Sequence, residues 1–423
     1  MAQEMPGNEK DRERIFDLLP DGSQLKNVMR PRYDENRNLV GVLKSKIIRF
    51  VNSEEYAAEA VSIEFFNKDK GQSGRIDLAK AIFRKKLGML VATEVVDIKS
   101  DKLTARGTAL HYSFQDGEGF LSGPVTTIIQ TPTETTMNSP SPSLRATAVL
   151  GLSLLAQSLP AAPVITAEEK AAVRADAASR AAAAGAAAAT TRTLLDKDIA
   201  DSAKAKQAVT RFLVQADLPA PAAEEEFAPA VPLEFTPGPD STKLTSDGGL
   251  YFESKERVLV YLKNVKVTNP EFDLECQELK LFFAEKKEED KKAKPDPESK
   301  DGQPAEPKKE KSAKDLFGSG MGVDFGEPER IVATGAVLFT QKKAAKGQQP
   351  IKASGAIFSY NLTDDQIVIS GGYPWVFQPP SNALRAKEAN LSLRISPKAG
   401  TFVVDKGQWE TLFNSEQLNK KDK

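Results

Sequence analysis

The sequence predicts an all-β protein: two antiparallel β regions joined by an alanine-rich, partly helical or disordered linker. Short segments with an apolar side chain at every second position recur through residues 25–131 and 244–414, broken by turn-forming residues. The connections are too short for the crossovers that parallel strands need, so pairing is antiparallel. The regions also share a repeat. Residues 104–130 and 352–378 align without a gap over 27 positions, seven of them identical: Ala105/Ala353, Gly107/Gly355, Tyr112/Tyr360, Asp116/Asp364, Ser122/Ser370, Gly123/Gly371 and Gln130/Gln378. One fold unit has been used twice.

Residues 1–24 form a polar segment with neither the basic start nor the apolar centre of a signal peptide. Strands are expected at 41–51, 60–66, 75–84, 88–99, 102–114 and 119–130, with turn chemistry between them, as in Asn67-Lys68-Asp69-Lys70-Gly71 and Gln115-Asp116-Gly117. The linker, 132–243, differs in kind. Its stretch 137–162 joins Met137, Arg145, an apolar run and small residues before Pro163, the layout of a signal peptide. That run is short for a bilayer crossing, which needs about 20 apolar residues. Two readings stand: an apolar helix packed on a domain edge, or the start of a second exported protein fused behind the first.

From about Thr166 to Leu218 alanine dominates, opened by the capping-box spacing Thr166/Glu169 and closed by Pro219 and Pro221. Alanine gives such a helix little to bury, so a solvated spacer is expected. The strand pattern returns over 244–414 with one interruption, the insertion 285–325. Its first part, Glu285 to Asp315, holds ten positive and ten negative charges, too polar to order itself. Residues 415–423 are a charged tail.

The chain's 423 residues carry a net charge of -1, from 58 basic and 59 acidic side chains, so no global field recruits nucleic acid. One cysteine, Cys276, excludes an intrachain disulfide and a thiolate zinc cluster; one histidine, His111, leaves no His-based triad or multi-histidine metal site. No cofactor or metal is expected, and no enzyme activity. The glycines of Gly318 to Gly322 lack the Lys-Ser/Thr of a phosphate loop and read as a hinge. Asp116 and the pair Asp364-Asp365 fall in expected hairpin turns, where aspartate bonds its own backbone. Alternation points His111 away from Leu110 and Tyr112, toward solvent.

The informative chemistry is one apolar face. Leu110, Tyr112 and Phe114, their counterparts Phe358, Tyr360 and Leu362, and Leu279, Leu281 and Phe283 recur at alternate positions. Such a face is either an ordinary core or an open groove for acyl chains, each buried methylene contributing about 0.8 kcal/mol. Periodicity alone leaves both open.

The units in which Ala leads to Tyr, then Ser-Gly, then a Val- or Ile-rich strand resemble the OstA-like family, the periplasmic bridge and anchor proteins of lipopolysaccharide export. In the second region VLVYLKNVKV, FDLECQELKLFF, ERIVATGAVLFTQ, IKASGAIFSYNLTDDQIVISGGYPWVF and ALRAKEANLSLRI look like successive repeats of the bridge, or LptA, type. In the first, YDENRNLVGVLKSKIIRF, GRIDLAKAIF and KLTARGTALHYSF look more like the anchor, or LptC, type.

The resemblance implies V-shaped antiparallel jellyrolls whose apolar groove shields the acyl chains of lipopolysaccharide. It further implies edge-to-edge stacking into a bridge across the periplasm. Partners would be other jellyroll components, an inner-membrane transporter and further copies of the chain, head to tail. The terminal strands are then the docking edges, at Val42, Ile48 and Phe50 and at Phe402, Val404 and Phe413. Anchor-type members begin with a membrane helix, which does not precede Leu25, and bridge-type members carry the signal peptide that 137–162 resembles. Two neighbouring reading frames joined as one would explain both. The alternative to a lipid carrier is a structural scaffold whose strand edges assemble without lipid.

Overall fold

The computed structural model of the chain describes residues 19–33, 38–66, 71–100, 103–130, 193, 195–218, 241–284, 328–342, 349–379, 382–396 and 401–413. The signal-like segment 137–162, the charged insertion 285–325 and the tail 415–423 lie outside the described residues. Met1–Thr131 and Ala200–Lys423 make one compact unit, Pro132–Ile199 a second. In the second, the described residues 195–199 are helical. The described strands all belong to the first unit, and the architecture is all-β as expected.

Four strands open the sheet as an antiparallel meander: β1 (Gln24–Tyr33), β2 (Leu39–Asn52), β3 (Glu55–Phe66) and β4 (Gln72–Arg84). Asn52 closes the β2–β3 turn by accepting the Glu54 and Glu55 amides at 2.8 and 2.9 Å. β4 then has two successors. Its 82–84 end pairs with β5 (Met89–Ala92), and its 74–78 stretch pairs with β6 (Val96–Ser100). The sheet therefore divides into two arms. One runs from β5 to β8 (Leu110–Ser113), β9 (Glu118–Leu121) and β12 (Gly249–Glu253). The other runs from β6 to β7 (Leu103–Gly107), β10 (Val125–Ile129) and β11 (Thr242–Ser246).

Both arms rejoin on β13 (Val258–Thr268), which pairs with β12 through 258–262 and with β11 through 266–268. A second meander follows through β14 (Phe272–Phe283), β15 (Pro328–Gln341) and β16 (Lys352–Asn361). β16 divides the sheet again. The first arm continues as β17 (Gln366–Ser370), β20 (Ser392–Ser396) and β21 (Thr401–Val404); the second continues as β18 (Trp375–Gln378), β19 (Asn382–Ala386) and β22 (Trp409–Phe413). The two sequence regions thus share one hydrogen-bonded sheet, joined at β9–β12 and β10–β11. The alternation pattern does not encode that continuity.

The division has a local cause. Ala60 in β3, Lys263 and Asn264 in β13, and Gly335 and Ala336 in β15 have positive φ, between 47° and 81°. At β13 and β15 the register shifts there, between Leu262 and Val265 and between Thr334 and Val337. Such bulges bend a strand and sharpen its twist, so each long strand can serve both arms.

The repeat occupies equivalent places. Leu110 faces Leu121 and Tyr112 faces Gly119, as Phe358 faces Ile369 and Tyr360 faces Ile367. At Gly123 a Cβ would lie 2.0 Å from the Asp247 carbonyl oxygen, and Gly371 has φ +71°, so both repeat glycines are needed where they stand.

The linker contributes a helix, α1 (residues 195–215). In its part from residue 200, Ala205, Val209, Phe212 and Leu213 stand at i, i+4, i+7 and i+8 and are buried against Phe120, Tyr251, Val258 and Val260. The expectation of a solvated spacer is corrected over this stretch: alanine gives way here to Val, Phe and Leu on one face. Full burial of such side chains contributes about 1.5–3 kcal/mol each. The sheet records the helix. Val258 to Tyr261 are buried on both faces, whereas beyond the bulge only Val265 and Val267 are buried while Lys266 and Thr268 are exposed. Asp217, at φ 51°, ends the helix, with the Leu218 amide donating to the Leu213 carbonyl at 2.9 Å.

Candidate functional site

Cross-strand register places the apolar alternate positions in continuous rows. On the first arm Phe50, Tyr56, Phe83, Leu90 and Tyr112 are successive partners, and Tyr112 faces Gly119. Gly119 faces Phe252 across the junction, and the row continues through Leu259, Leu281, Ile331, Tyr360, Ile367, Ile395 and Phe402. Every member but Gly119 is apolar or aromatic. A parallel row joins Leu110, Leu121, Leu250, Tyr261, Leu279, Ala333, Phe358, Ile369, Leu393 and Val404.

The second arm answers with its own row. Leu43, Ile63, Ile76, Ile98, Ala105 and Thr127 lead across the junction to Leu244, Val267, Leu274, Phe339, Ala353 and Val376. The arms pack face to face. Phe339 stacks on Phe358 at 5.7 Å between ring centroids, and Phe272 meets Tyr360 edge-on at 6.2 Å. Both arms belong to one apolar core.

Six of the sequence-predicted groove residues come together in that core: Leu110, Tyr112, Phe114, Leu279, Leu281 and Phe358 are at most 2% exposed. Phe283 and Tyr360 are half-buried at its margin. Leu362 is not brought in; it lies just past β16 and is 38% exposed. The opposite arm covers this face. Burial holds the Tyr261 phenol well above its ordinary value, and that of Tyr360 too, where the Tyr360 hydroxyl also donates to Asp365 at 2.8 Å.

Alternation found these residues on single strands but missed Phe252, Tyr261, Phe339 and Gly119. Phe252 and Phe339 were visible as strand aromatics; that they fall opposite the predicted residues is a matter of register, which one sequence does not state. Gly119 is specific. A Cβ there would lie 2.2 Å from the Phe252 ring, so glycine leaves the space in which Phe252 and Tyr112 stack at 5.8 Å.

The docking edges need one correction. Val42, Ile48 and Phe50 lie on β2, which β1 and β3 pair on both sides, so the edge at that end is β1 among the described residues. Met29 and Tyr33 on β1 are 65% and 45% exposed. At the other end the expected positions do fall on strands with one partner among the described residues: Phe402 and Val404 on β21, Phe413 on β22.

The remaining polar candidates settle locally. Ser113 donates to Asp116 at 2.9 Å and Asn361 to Asp364 at 2.9 Å, both within hairpin turns. His111 is half-buried, not solvent-facing, and burial first, then Arg84, lowers its pKa. Among the described residues no group of three His, Cys, Asp or Glu side chains is placed to hold a metal, and no helix is long and apolar enough to cross a membrane.

No protein-family model matches the sequence, and no curated protein matches it significantly. A solved structure is similar in part. It is LptH of Pseudomonas aeruginosa, described as the LptA-homologous periplasmic component of the lipopolysaccharide transport device. The two are 13% identical, the match covering 41% of this chain and 94% of LptH at a TM-score of 0.28. The all-β architecture stated above rests on the strand pairing itself.

Proposed function

We propose that the protein is a non-enzymatic lipid-transfer component of the Gram-negative envelope, working in the periplasm and binding the acyl chains of lipopolysaccharide between the two arms of its sheet. The observation that carries this reading is the apolar row from Phe50 to Phe402, which passes the junction of the two regions without a charged residue. An ordinary core needs apolar packing only within each domain. A path for a lipid needs it to run on from one domain into the next. The sequence resemblance to the OstA-like family adds the chemistry of the cargo.

Because the core is closed, an acyl chain enters only where the arms part, each methylene exchanging water for apolar contacts worth about 0.8 kcal/mol. The half-buried margin at Phe283, Ile331 and Tyr360 is the place where that costs least packing. The junction at β9–β12 and β10–β11 is, in this reading, the edge-to-edge stacking of two V-shaped jellyrolls performed inside one chain. The outer edges, β1 at one end and β21 and β22 at the other, would dock an inner-membrane transporter and further jellyroll components, or another copy head to tail, completing a bridge toward the outer membrane.

A scaffold without cargo is the second reading, and the closed state of Leu110, Leu279 and Phe358, each 0% exposed, favours it. Photocrosslinking separates the two. With a diazirine side chain at Phe283 or Tyr360, a carrier gives adducts with lipopolysaccharide that the same group at outward-facing Ile82 does not give. Folded protein without adducts at either margin position leaves the scaffold.

A further inference from the structure

Where the two β regions meet, two acids meet as well. Glu118 of β9 and Glu253 of β12 are direct cross-strand partners, and they are 3% and 7% exposed. Like charges directly opposite on a sheet are destabilising, and two carboxylates sharing a buried site do not both ionise cheaply. Among the described residues one cation is paired with them. Arg211 of α1 donates to Glu118 Oε1 at 2.7 Å, and Tyr251 donates to Glu253 Oε2 at 3.3 Å. The second oxygen of Glu118, Oε2, is buried with no hydrogen-bond partner among the described residues. Lys204, the other helix cation nearby, is held by Glu256 at 2.7 Å, outside the pair.

We propose that Glu118 and Glu253 form a proton-controlled latch at the junction, fastened when the pair holds one proton and loosened when both carboxyls are charged. The inference concerns the join between the regions and is independent of whether lipid is carried. A shared proton removes the like-charge repulsion and leaves one carboxylate for one guanidinium. The helix seals the pair from water, since Phe120 and Tyr251 of the same two strands lie under Val209 and Phe212. Burial first, then Glu118 and Glu256, raises the pKa of Glu253. A carboxyl raised on folding supports stability that is fully present below the unfolded glutamate range, about 4.3, and is lost as pH rises through its folded value. The latch is therefore tighter at mildly acid pH.

Amide hydrogen exchange of the full chain between pH 5 and pH 8, corrected for chemical exchange, tests this through peptides from β9 and β12 read against peptides from β2 and β3. The expected result is faster relative exchange at the junction as pH rises, roughly tenfold for each unit by which the Glu253 pKa is displaced. Glu253→Gln, which mimics the protonated acid, should abolish that trend. Should that variant fail to fold, Glu118→Gln reads the same pair from the other strand. A wild-type ratio independent of pH, or a pH trend that survives undiminished in Glu253→Gln or, where that variant does not fold, undiminished in Glu118→Gln, overturns the proposal.

Discussion

Tyr112 and Phe252 stack across Gly119, their centroids 5.8 Å apart and their planes 19° from parallel, although they sit on strands from different β regions. The contact exists because the residue between them in the row has no side chain. A methyl group at Gly119 would fall 2.2 Å from the Phe252 ring and force it away. Gly119→Ala is expected to destabilise the protein, by about 1–3 kcal/mol for an overpacked core site. Phe252→Ala is expected to cost about 3–5 kcal/mol. Because both act on one contact, the double variant should fall short of the sum, as urea unfolding would show. Additive effects would mean that the glycine's role is not to admit the ring.

Lys280 is an unusual resident of a β-strand core, 1% exposed and facing α1. It donates to Ser202 at 2.6 Å and is ion-paired with Glu278. Lys280→Ala strips a partly buried carboxylate of its cation and should cost about 3–5 kcal/mol. Replacing both partners, as in Lys280→Met with Glu278→Leu, should recover most of that loss in the same unfolding measurement, because no unpaired charge remains.

Cys276 lies in the core beneath the second arm, 4% exposed, and burial pushes its thiol up to about 12. The thiolate is the reactive form, so at pH 8 the native protein should resist alkylation by iodoacetamide, while urea-unfolded protein reacts fully. Rapid labelling without unfolding, read by mass, would show that the arms part on the timescale of the reagent.

Gly335 stands in the bulge of β15 at φ +81°, where a Cβ would lie 2.8 Å from the Gln277 side chain. Gly335→Val meets both a steric and a backbone penalty and should lower the melting temperature; Ala336→Gly, which relieves a residue at φ 49°, should be neutral or stabilising. The two together test whether the bend in the long strands is imposed by this bulge.

Much of this was legible in the sequence, and the rest had definite reasons to be hidden. Alternation located Leu110, Tyr112 and Phe358 on strands with one buried face, and Asp116 and Asp364 do lie in hairpin turns, where their carboxylates accept from the side chains of Ser113 and Asn361. Side-chain alternation does not state which strand lies beside which. Hence alternation puts Val42, Ile48 and Phe50 at an edge that β1 covers, and it carries no sign of the pairing of β9 with β12. The alanine content of the linker averaged away the face of Val209, Phe212 and Leu213, which a shorter helical window over 205–213 would have exposed. Alternation points His111 to solvent, whereas it is half-buried, because alternation gives a direction and not what packs there.

One apolar row runs through both β regions, and photocrosslinking from its aromatic members shows whether lipid follows it. A diazirine-bearing phenylalanine at Tyr112, in the first region, and at Tyr360, in the second, replaces ring with ring in the same row. Incubated with lipopolysaccharide and irradiated, the folded protein should give lipid adducts from both positions. Adducts from neither, with folding intact, would mean that lipid does not follow the row, and adducts from Tyr360 alone would confine its path to the second region.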